Sequence, residues 1–331
     1  MIESKRRAAL LALGASGVLL ATGRTARAQG TYPTRPIRMI VPHPVGGGVD
    51  IIARKLGEQM QPMLGQPFVV DNRPGANGML GAQATAASAP DGYTLMMAGP
   101  GEIAIAPHLH KTMAYDPFRD LQPITLASRA PNVLVVGPRT TAQNVPDLIA
   151  QARAKPGGMT FGSSGIGNIQ HLNGELFNAL AGTKIVHVPY KGASPQIADI
   201  VGGQIDMGFT SVAAALPLIR GGKLRALAVT SRERVPALPD VPALAETPGL
   251  EAYELNNWFG LFAPAGLPAP ILQSVSEAAR RALSSADMQR FIVDGGAIPS
   301  PQTPEAFRAF IGAESAKFAR IIRDVNITLE N

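Results

Sequence analysis

The chain has 331 residues, a formal net charge of +6, 46% hydrophobic and 16% charged side chains, and no cysteine. That length and apolar content support one large or two ordinary domains with a real core and exclude intrinsic disorder. Without cysteine there are no disulfide frameworks, thiolate zinc sites or thiol catalysis.

The positive charge is concentrated at the N-terminus. Lys5, Arg6, Arg7, Arg24 and Arg27 stand against Glu3 in the first 28 residues, so the remainder carries a net charge of only +2. A basic start, an apolar run from Ala8 to Ala21 and the small-x-small triplet Ala26-Arg27-Ala28 read as an export signal cleaved after Ala28. The run is short for a membrane span; an uncleaved N-terminal anchor is the alternative. Arg6-Arg7 admits the twin-arginine route beside general secretion, and no cysteine follows the cleavage site to carry a lipid. The expectation is a soluble periplasmic protein beginning at Gln29. No aromatic–basic cluster points to nucleic acid.

Strands and helices then alternate. Ile37–Val41 reads as a strand that runs into the Pro/Gly loop 42–50, after which Ile51, Ile52, Leu56 and Met60 recur at helical spacing. Strands follow at 68–70, 93–98, 133–136 and 159–161, with a helix at 145–154. The loop 162–168 leads into a helix carrying His171, Leu172, Leu176, Phe177 and Leu180. Further strands are expected at 185–188, 205–209, 225–229 and 259–262, with helices near 194–201, 270–284, 285–293 and 304–325. This alternation implies α/β architecture, with sheets covered by helices on both faces.

Two connections repeat one device. Loops 42–50 and 162–168 each join a strand to an amphipathic helix, and each is rich in glycine, which lets backbone approach a ligand. Each places the unpaired N–H groups of a helix N-terminus at the carboxyl end of a strand, an arrangement that favours anions. One such loop in each half of the chain suggests two lobes with a ligand between them.

Enzyme motifs fail on spacing. The G-x-S-x-G elbow fits neither Ser163, flanked at two residues by Phe161 and Gly165, nor Ser164, flanked by Gly162 and Ile166. Gly46-Gly47-Gly48 lacks the Gly-Lys-Ser/Thr ending of a phosphate loop, and neither loop has dinucleotide spacing. His108-Leu109-His110 offers two metal ligands without a third. His171 and Glu175 share a helix face, which suits either a metal or an intrahelical pair. The reading is a non-enzyme without metal or cofactor. Its rival is a secreted hydrolase using Ser163 or Ser164 with His171.

Seven segments in order resemble one family. VPHPVGGGVDIIAR (41–54), DNRPGANG (71–78), PNVLVV (131–136), FGSSGIGNIQHLNGELF (161–177), VPYKGASPQIADIVGGQIDMGF (188–209), GKLRALAVTSRERVPALPDVPALAE (222–246) and WFGLFAPAGLP (258–268) are similar to the Bug/TctC-like receptors of tripartite tricarboxylate transporters. The resemblance implies a two-lobed, type II (Venus-flytrap) periplasmic binding fold. Residues 29–129 with 254–331 would form one lobe and 130–253 the other. It also implies a monomeric receptor for a small organic acid or amino-acid-like ligand, working with membrane transporter subunits. A variant of this reading has the receptor feed a sensor kinase.

By position, Gly46, Gly47 and Asp50 correspond to the first ligand loop, Ser163, Ser164 and Gly165 to the second, and Tyr190, Gly192 and Asp206 to the second-lobe signature. Gly99 follows the third strand. Gly46 and Gly47 are expected to donate main-chain N–H groups. Asp50 is expected to fix its loop, while Asp206 is open between a ligand role and a strand-end role. Neither ligand loop holds Arg or Lys, so recognition is expected through backbone and water, with Gly47 important and Arg54 dispensable. Two departures from the family pattern affect ligand choice: His43 stands where an aromatic residue is frequent, and Glu102 stands in a segment that usually carries hydroxyls. A Glu102 facing the cleft would repel a second carboxylate and attract an amine; otherwise it caps the following helix.

Overall fold

The computed structural model describes residues 32–328, so the export signal and its cleavage site lie outside the described residues. The chain begins with β1 (Ile37–Val41), α1 (Gly48–Leu64), β2 (Phe68–Asn72), α2 (Met79–Ala86) and β3 (Thr94–Ala98). A π-helical turn (Gly101–Ile105) leads into α3 (Ala106–Leu109) and β4 (Leu121–Ala130). After Pro131 come β5 (Asn132–Val136), α4 (Val145–Ala154), β6 (Thr160–Ser163), α5 (Ile169–Ala181), β7 (Val186–Pro189), α6 (Ala193–Val201), β8 (Met207–Ser211), α7 (Val212–Arg220) and β9 (Arg225–Val229). The return passes through β10 (Asn257–Pro264), α8 (Ala269–Leu283), α9 (Ala286–Asp294), β11 (Ile298–Pro299) and α10 (Pro304–Asp324).

Two mixed sheets result. The first has the order β11-β4-β10-β3-β1-β2 and the second β7-β6-β8-β5-β9. Strand alternation divides the apolar side chains between two faces of each sheet. On β1 and β3, Ile37, Met39, Val41, Leu95 and Met97 meet α1, α8 and α9, while Ile40, Met96 and Ala98 face an inner core. That inner core continues through Leu134, Phe161 and Phe209 of the second sheet to Trp258 and Phe307. The outer face of the second sheet, including Val133 and Val135, packs under α6 and α7.

Among the elements that escape the sequence pattern, three have a visible reason. β4 contains Pro123, which argues against a strand, yet Pro123 lies opposite Phe262 where the β4–β10 register shifts, a place that tolerates a missing donor. α2 is made of small residues with no apolar stripe, and Gly81 brings it close against Pro42. α7 carries Pro217 inside it.

The chain crosses between sheets at two places that are tied together. Asn132 N–H donates to Thr230 Oγ1 (2.9 Å), Thr230 N–H donates to the Asn132 carbonyl (2.9 Å), and Leu255 N–H donates to the Thr230 carbonyl (3.2 Å). β1 is parallel to β2 and β3, and β6 to β7 and β8, so the connections after β1, β3, β6 and β7 all leave carboxyl strand ends.

Candidate functional site

The first loop is held by Asp50, which is 2% exposed. Its carboxylate accepts from Gly46 N–H (2.9 Å), Asn72 Nδ2 (2.9 Å) and Arg54 Nε (3.1 Å). Burial pushes this carboxyl up, but hydrogen bonds from Arg54, Gly46 and Asn72 outweigh it and hold it below the usual carboxylate range. Asn72 Nδ2 also donates to the His43 carbonyl (3.1 Å). Asp50 therefore fixes the loop. Arg54, expected to be dispensable, closes the network by also donating to Asn72 Oδ1 (2.9 Å).

This bracing redirects the donors. Gly46 N–H is taken by Asp50 and Gly47 N–H by the Pro44 carbonyl (3.3 Å). Gly46 adopts φ +82°, the left-handed region that glycine tolerates, so its role is to shape the turn. The N–H groups without a partner among the described residues are the next three, on Gly48, Val49 and Asp50, the first turn of α1. Gly48 lies against Phe259; a Cβ there would sit 3.2 Å from the ring.

The second loop repeats the pattern with neutral groups. Ser164 N–H donates to Gln170 Oε1 (2.8 Å), Gly165 N–H to Ser163 Oγ (3.3 Å) and Gly167 N–H to His171 Nδ1 (3.1 Å). Asn168 caps α5 by accepting from Gln170 and His171 N–H, both at 3.0 Å. The N–H groups of Ile166 and Ile169 have no partner among the described residues. Ser164 Oγ accepts from Asn168 Nδ2 (2.8 Å) and keeps its own proton to donate.

Behind this loop the rings of His171 and His187 stack with centroids 3.9 Å apart, and Phe161 stacks on His187 at 4.9 Å. Burial lowers His171 to about 4. Burial, and then the neighbouring His171, lower His187 to about 3. Both are neutral near pH 7. His187 is the functional neighbour that the sequence reading missed; its only signal was its place on β7 beside β6, which pairs it with Phe161.

The lobes meet across the cleft. Asn77 Nδ2, from the turn after β2, donates to the Ile166 carbonyl (2.9 Å) in the second loop. In the wall of the first lobe, Gly99 N–H is taken by Glu102 Oε1 (2.8 Å). Glu102 is fully buried, not a cleft-surface acid, and the ring of His43 is next to it, 3.4 Å from Oε2. Neither reading for Glu102 holds as expected: it does not cap the following helix, and Oε1 instead ties down the turn that opens the π-helical segment.

The second-lobe signature divides. Gly192, at φ +115°, opens the N-terminus of α6 at the carboxyl end of β7. Tyr190 N–H donates to the Ser163 carbonyl (2.9 Å), but its hydroxyl turns away to Asp199 (2.8 Å). Asp206 does not join the loops, which corrects its placement in the cleft. It precedes β8, at the end opposite the cleft, and accepts from Thr160 N–H (2.8 Å) and Thr160 Oγ1 (3.0 Å), with Arg139 at 3.4 Å. A surface hollow of about 510 Å³ bounded by Arg35, Arg38, Asp91 and Tyr93 also lies at the amino ends of β1 and β3, away from both loops. His108 Nε2 pairs with Ser315 Oγ (2.7 Å) to seat α3 on α10. Among the described residues no three His, Asp or Glu side chains converge on a metal position.

Ser163 is not placed as an activated nucleophile. Ser163 is fully buried, and its hydroxyl donates to the Gly165 carbonyl (2.8 Å) while His187 Nε2 stands at 2.6 Å. With its one proton spent, Oγ accepts from His187, so this imidazole faces it as a donor and not as a base. The ring's stacking neighbours are His171 and Phe161, with no orienting carboxylate among them.

Two lobes, each offering a helix N-terminus to a shared cleft, define a two-lobed solute-binding protein. The comparisons place it further. The profile described as Tripartite tricarboxylate transporter family receptor matches residues 52–327. Protein BugT of Bordetella pertussis is 37% identical over 321 residues, covering 96% of this chain and 98% of its own. The structure of R. palustris Rpa4515 with adipate superposes with a TM-score of 0.84 at 34% identity, covering 90% of this chain and 99% of that one. MatC from Rhodopseudomonas palustris with bound malate gives 0.79 at 29% identity, over 88% and 100%. The chain belongs to the tripartite tricarboxylate transporter receptor family, a family of periplasmic substrate-binding receptors.

Proposed function

We propose that this protein is a non-enzymatic periplasmic receptor that captures a small carboxylate-bearing metabolite between its lobes and hands it to a membrane transporter of the tripartite tricarboxylate type. The observation that carries this reading is the pair of helix N-termini, α1 and α5, each with unpaired N–H groups at or just before its first turn and neither with Arg or Lys in its loop. A carboxylate placed between them receives main-chain hydrogen bonds and the partial positive charge of both helix ends, with ordered water filling the remaining sites. The N–H groups of Gly48, Val49 and Ile166 and the hydroxyl of Ser164 are the donors in this reading. Gly46, Gly47, Asp50, Gly99, Ser163, Gly165 and Gly192 shape the walls. The relatives with adipate and malate fit a ligand of this class.

The test is a thermal-shift screen of dicarboxylates, aromatic acids, amino acids and nicotinamide-like compounds on the mature protein, followed by calorimetry on the strongest hit. Stabilisation by carboxylates without ester turnover is the expected result. Ester hydrolysis lost in Ser163→Ala, or no stabilisation by any carboxylate, would overturn the reading.

A further inference from the structure

The first-lobe wall holds a charged pair that main-chain capture of a carboxylate leaves unused. Glu102 is fully buried in the π-helical turn after β3. Its Oε1 is satisfied by Gly99 N–H, but Oε2 has no hydrogen-bond partner among the described residues. Gly78 makes room for that oxygen: a Cβ at Gly78 would come within 2.7 Å of it. The group facing Oε2 is His43 Nε2 at 3.4 Å, and the His43 side chain is 34% exposed, so the ring carries the pair's contact with solvent. His43 follows β1 and Glu102 follows β3, both at the carboxyl strand ends where α1 also begins.

A buried carboxylate oxygen without a donor is costly unless an opposite charge compensates it. The imidazolium form of His43 is that charge. Burial alone would lower the His43 pKa, but the charge of Glu102 and its contact with the ring outweigh burial and hold it above the usual histidine value. Protonated, the pair is neutral overall; Nε2–H faces Glu102, and Nδ1–H, which has no hydrogen-bond partner among the described residues, is left to donate.

We propose that His43, charged against Glu102, receives a second acidic group of the ligand, so that this receptor selects a dianion over a monoanion or a zwitterion of the same length. The inference rests on the receptor reading above. It reverses the expectation that Glu102 attracts an amine, because a buried carboxylate under an imidazolium offers the cleft a cation. It also makes capture proton-linked. When His43 loses its proton, the charge of Glu102 is left uncompensated beneath the cleft and opposes a second carboxylate.

The other groups around His43 do not replace it in this role. Asn72 from β2 is neutral and holds the His43 carbonyl. Asp50 of α1 is occupied by Arg54, Asn72 and Gly46. Tyr115 donates to the Glu102 carbonyl and is pushed well above its usual range by burial and then by Glu102, so it stays neutral. From the facing lobe, His171 and His187 are neutral at these pH values.

The experiment uses three six-carbon probes on the mature protein: adipate, hexanoate and 6-aminohexanoate. They share one carboxylate and differ at the far end. Calorimetry of wild type at about pH 6 is expected to rank adipate first and 6-aminohexanoate last. Adipate affinity is expected to fall about tenfold by about pH 9, while hexanoate stays level. His43→Gln is expected to bring adipate down to the level of hexanoate in the same variant and to flatten its pH profile. Glu102→Gln, with its fold checked by thermal melting, is expected to move the adipate profile toward lower pH. Tighter binding of 6-aminohexanoate than of hexanoate would overturn the inference, as would an adipate affinity indifferent both to pH and to His43→Gln. If the wider screen returns only monocarboxylates, the inference falls and the receptor reading stands. If it returns no carboxylate, both fall.

Discussion

In the first lobe the connection after β1 is held by ionised groups: Asp50 gathers Gly46, Asn72 and Arg54, and Glu102 faces His43. In the second lobe the connection after β6 is held by neutral ones: Gln170 and Asn168 anchor main-chain N–H groups, and two uncharged imidazoles stack behind Ser163. The strand, loop and helix are alike, and the bracing chemistry differs. Each brace uses up most N–H groups of its glycine-rich turn; the first turn of α1 then stays unpaired, whereas Asn168 caps that of α5 and leaves the N–H groups of Ile166 and Ile169 without a partner among the described residues. The lesson is that such a loop is made of two parts, a turn that folds on itself and a helix end that faces the cleft. Ionic bracing makes the first-lobe loop sensitive to salt and to loss of a single carboxylate, whereas amide and imidazole bracing makes the second-lobe loop sensitive to acid.

The largest expected effect separates the two braces directly. Asp50→Ala strands three donors in a nearly buried setting, and a loss of about 3 kcal/mol, roughly 100-fold in carboxylate affinity, is expected by calorimetry. Gln170→Ala frees one donor, Ser164 N–H, and is expected to cost about tenfold. If Gln170→Ala costs as much as Asp50→Ala, the contrast between the lobes is void.

A proline pair then tests the division of labour within one loop. Gly47 has φ −72°, which suits proline, and its N–H is already spent on Pro44, so Gly47→Pro is expected to change affinity less than about threefold. Gly48→Pro removes an unpaired donor at the first helical position, where proline is tolerated, and is expected to cost about tenfold or more. The reverse order would return the donor role to Gly47.

Acid is expected to act on the second lobe. His171 and His187 titrate at about 4 and about 3 in the fold against an ordinary 6.5, so the unfolded chain binds more protons between those values. Their contribution to stability is complete above about pH 6.5 and is lost as the pH falls through that window. Thermal melting is expected to show Tm dropping by several degrees from pH 7 to pH 5, and His187→Gln is expected to reduce that drop. A Tm that is flat over this range would refute the neutral imidazole brace.

The smallest effect belongs to Arg54, whose side chain is 49% exposed. Arg54→Gln is expected to weaken carboxylate binding about two- to threefold at low ionic strength, with the difference vanishing near 1 M salt. A salt-independent loss would show that Arg54 acts on more than Asp50.

Much of this arrangement was legible in the residues. Short apolar runs located most strands within two residues, and the runs at β3 and β5 are continuous because those strands are buried on both faces. The ordered motifs located both loops and the family. What the sequence concealed is local hydrogen-bond accounting. Gly46, Gly47 and Gly165 look like donors because glycine lets backbone approach a ligand, and Ser164 because it is small and polar, yet their N–H groups close the turns. Arg54 looked remote at one helical turn, but a side chain of that length reaches back to Asp50 and across to Asn72. Asp206 carried a motif match, and only the strand direction shows that it lies at the far end of the sheet. His187 and Glu102 acquire meaning from neighbours distant in sequence, which no spacing rule reports.

The tie between the two crossings, where Asn132 and Thr230 exchange hydrogen bonds, has a mechanical consequence. Two chain segments fastened side by side resist twisting and sliding, and leave bending about one line as the soft movement. A pair of jaws on such a pivot works as a calliper. On such a pivot the spread of the arms would follow the length of what they hold. The hydrogen bond from Asn77 to the Ile166 carbonyl joins the two arms at their loops.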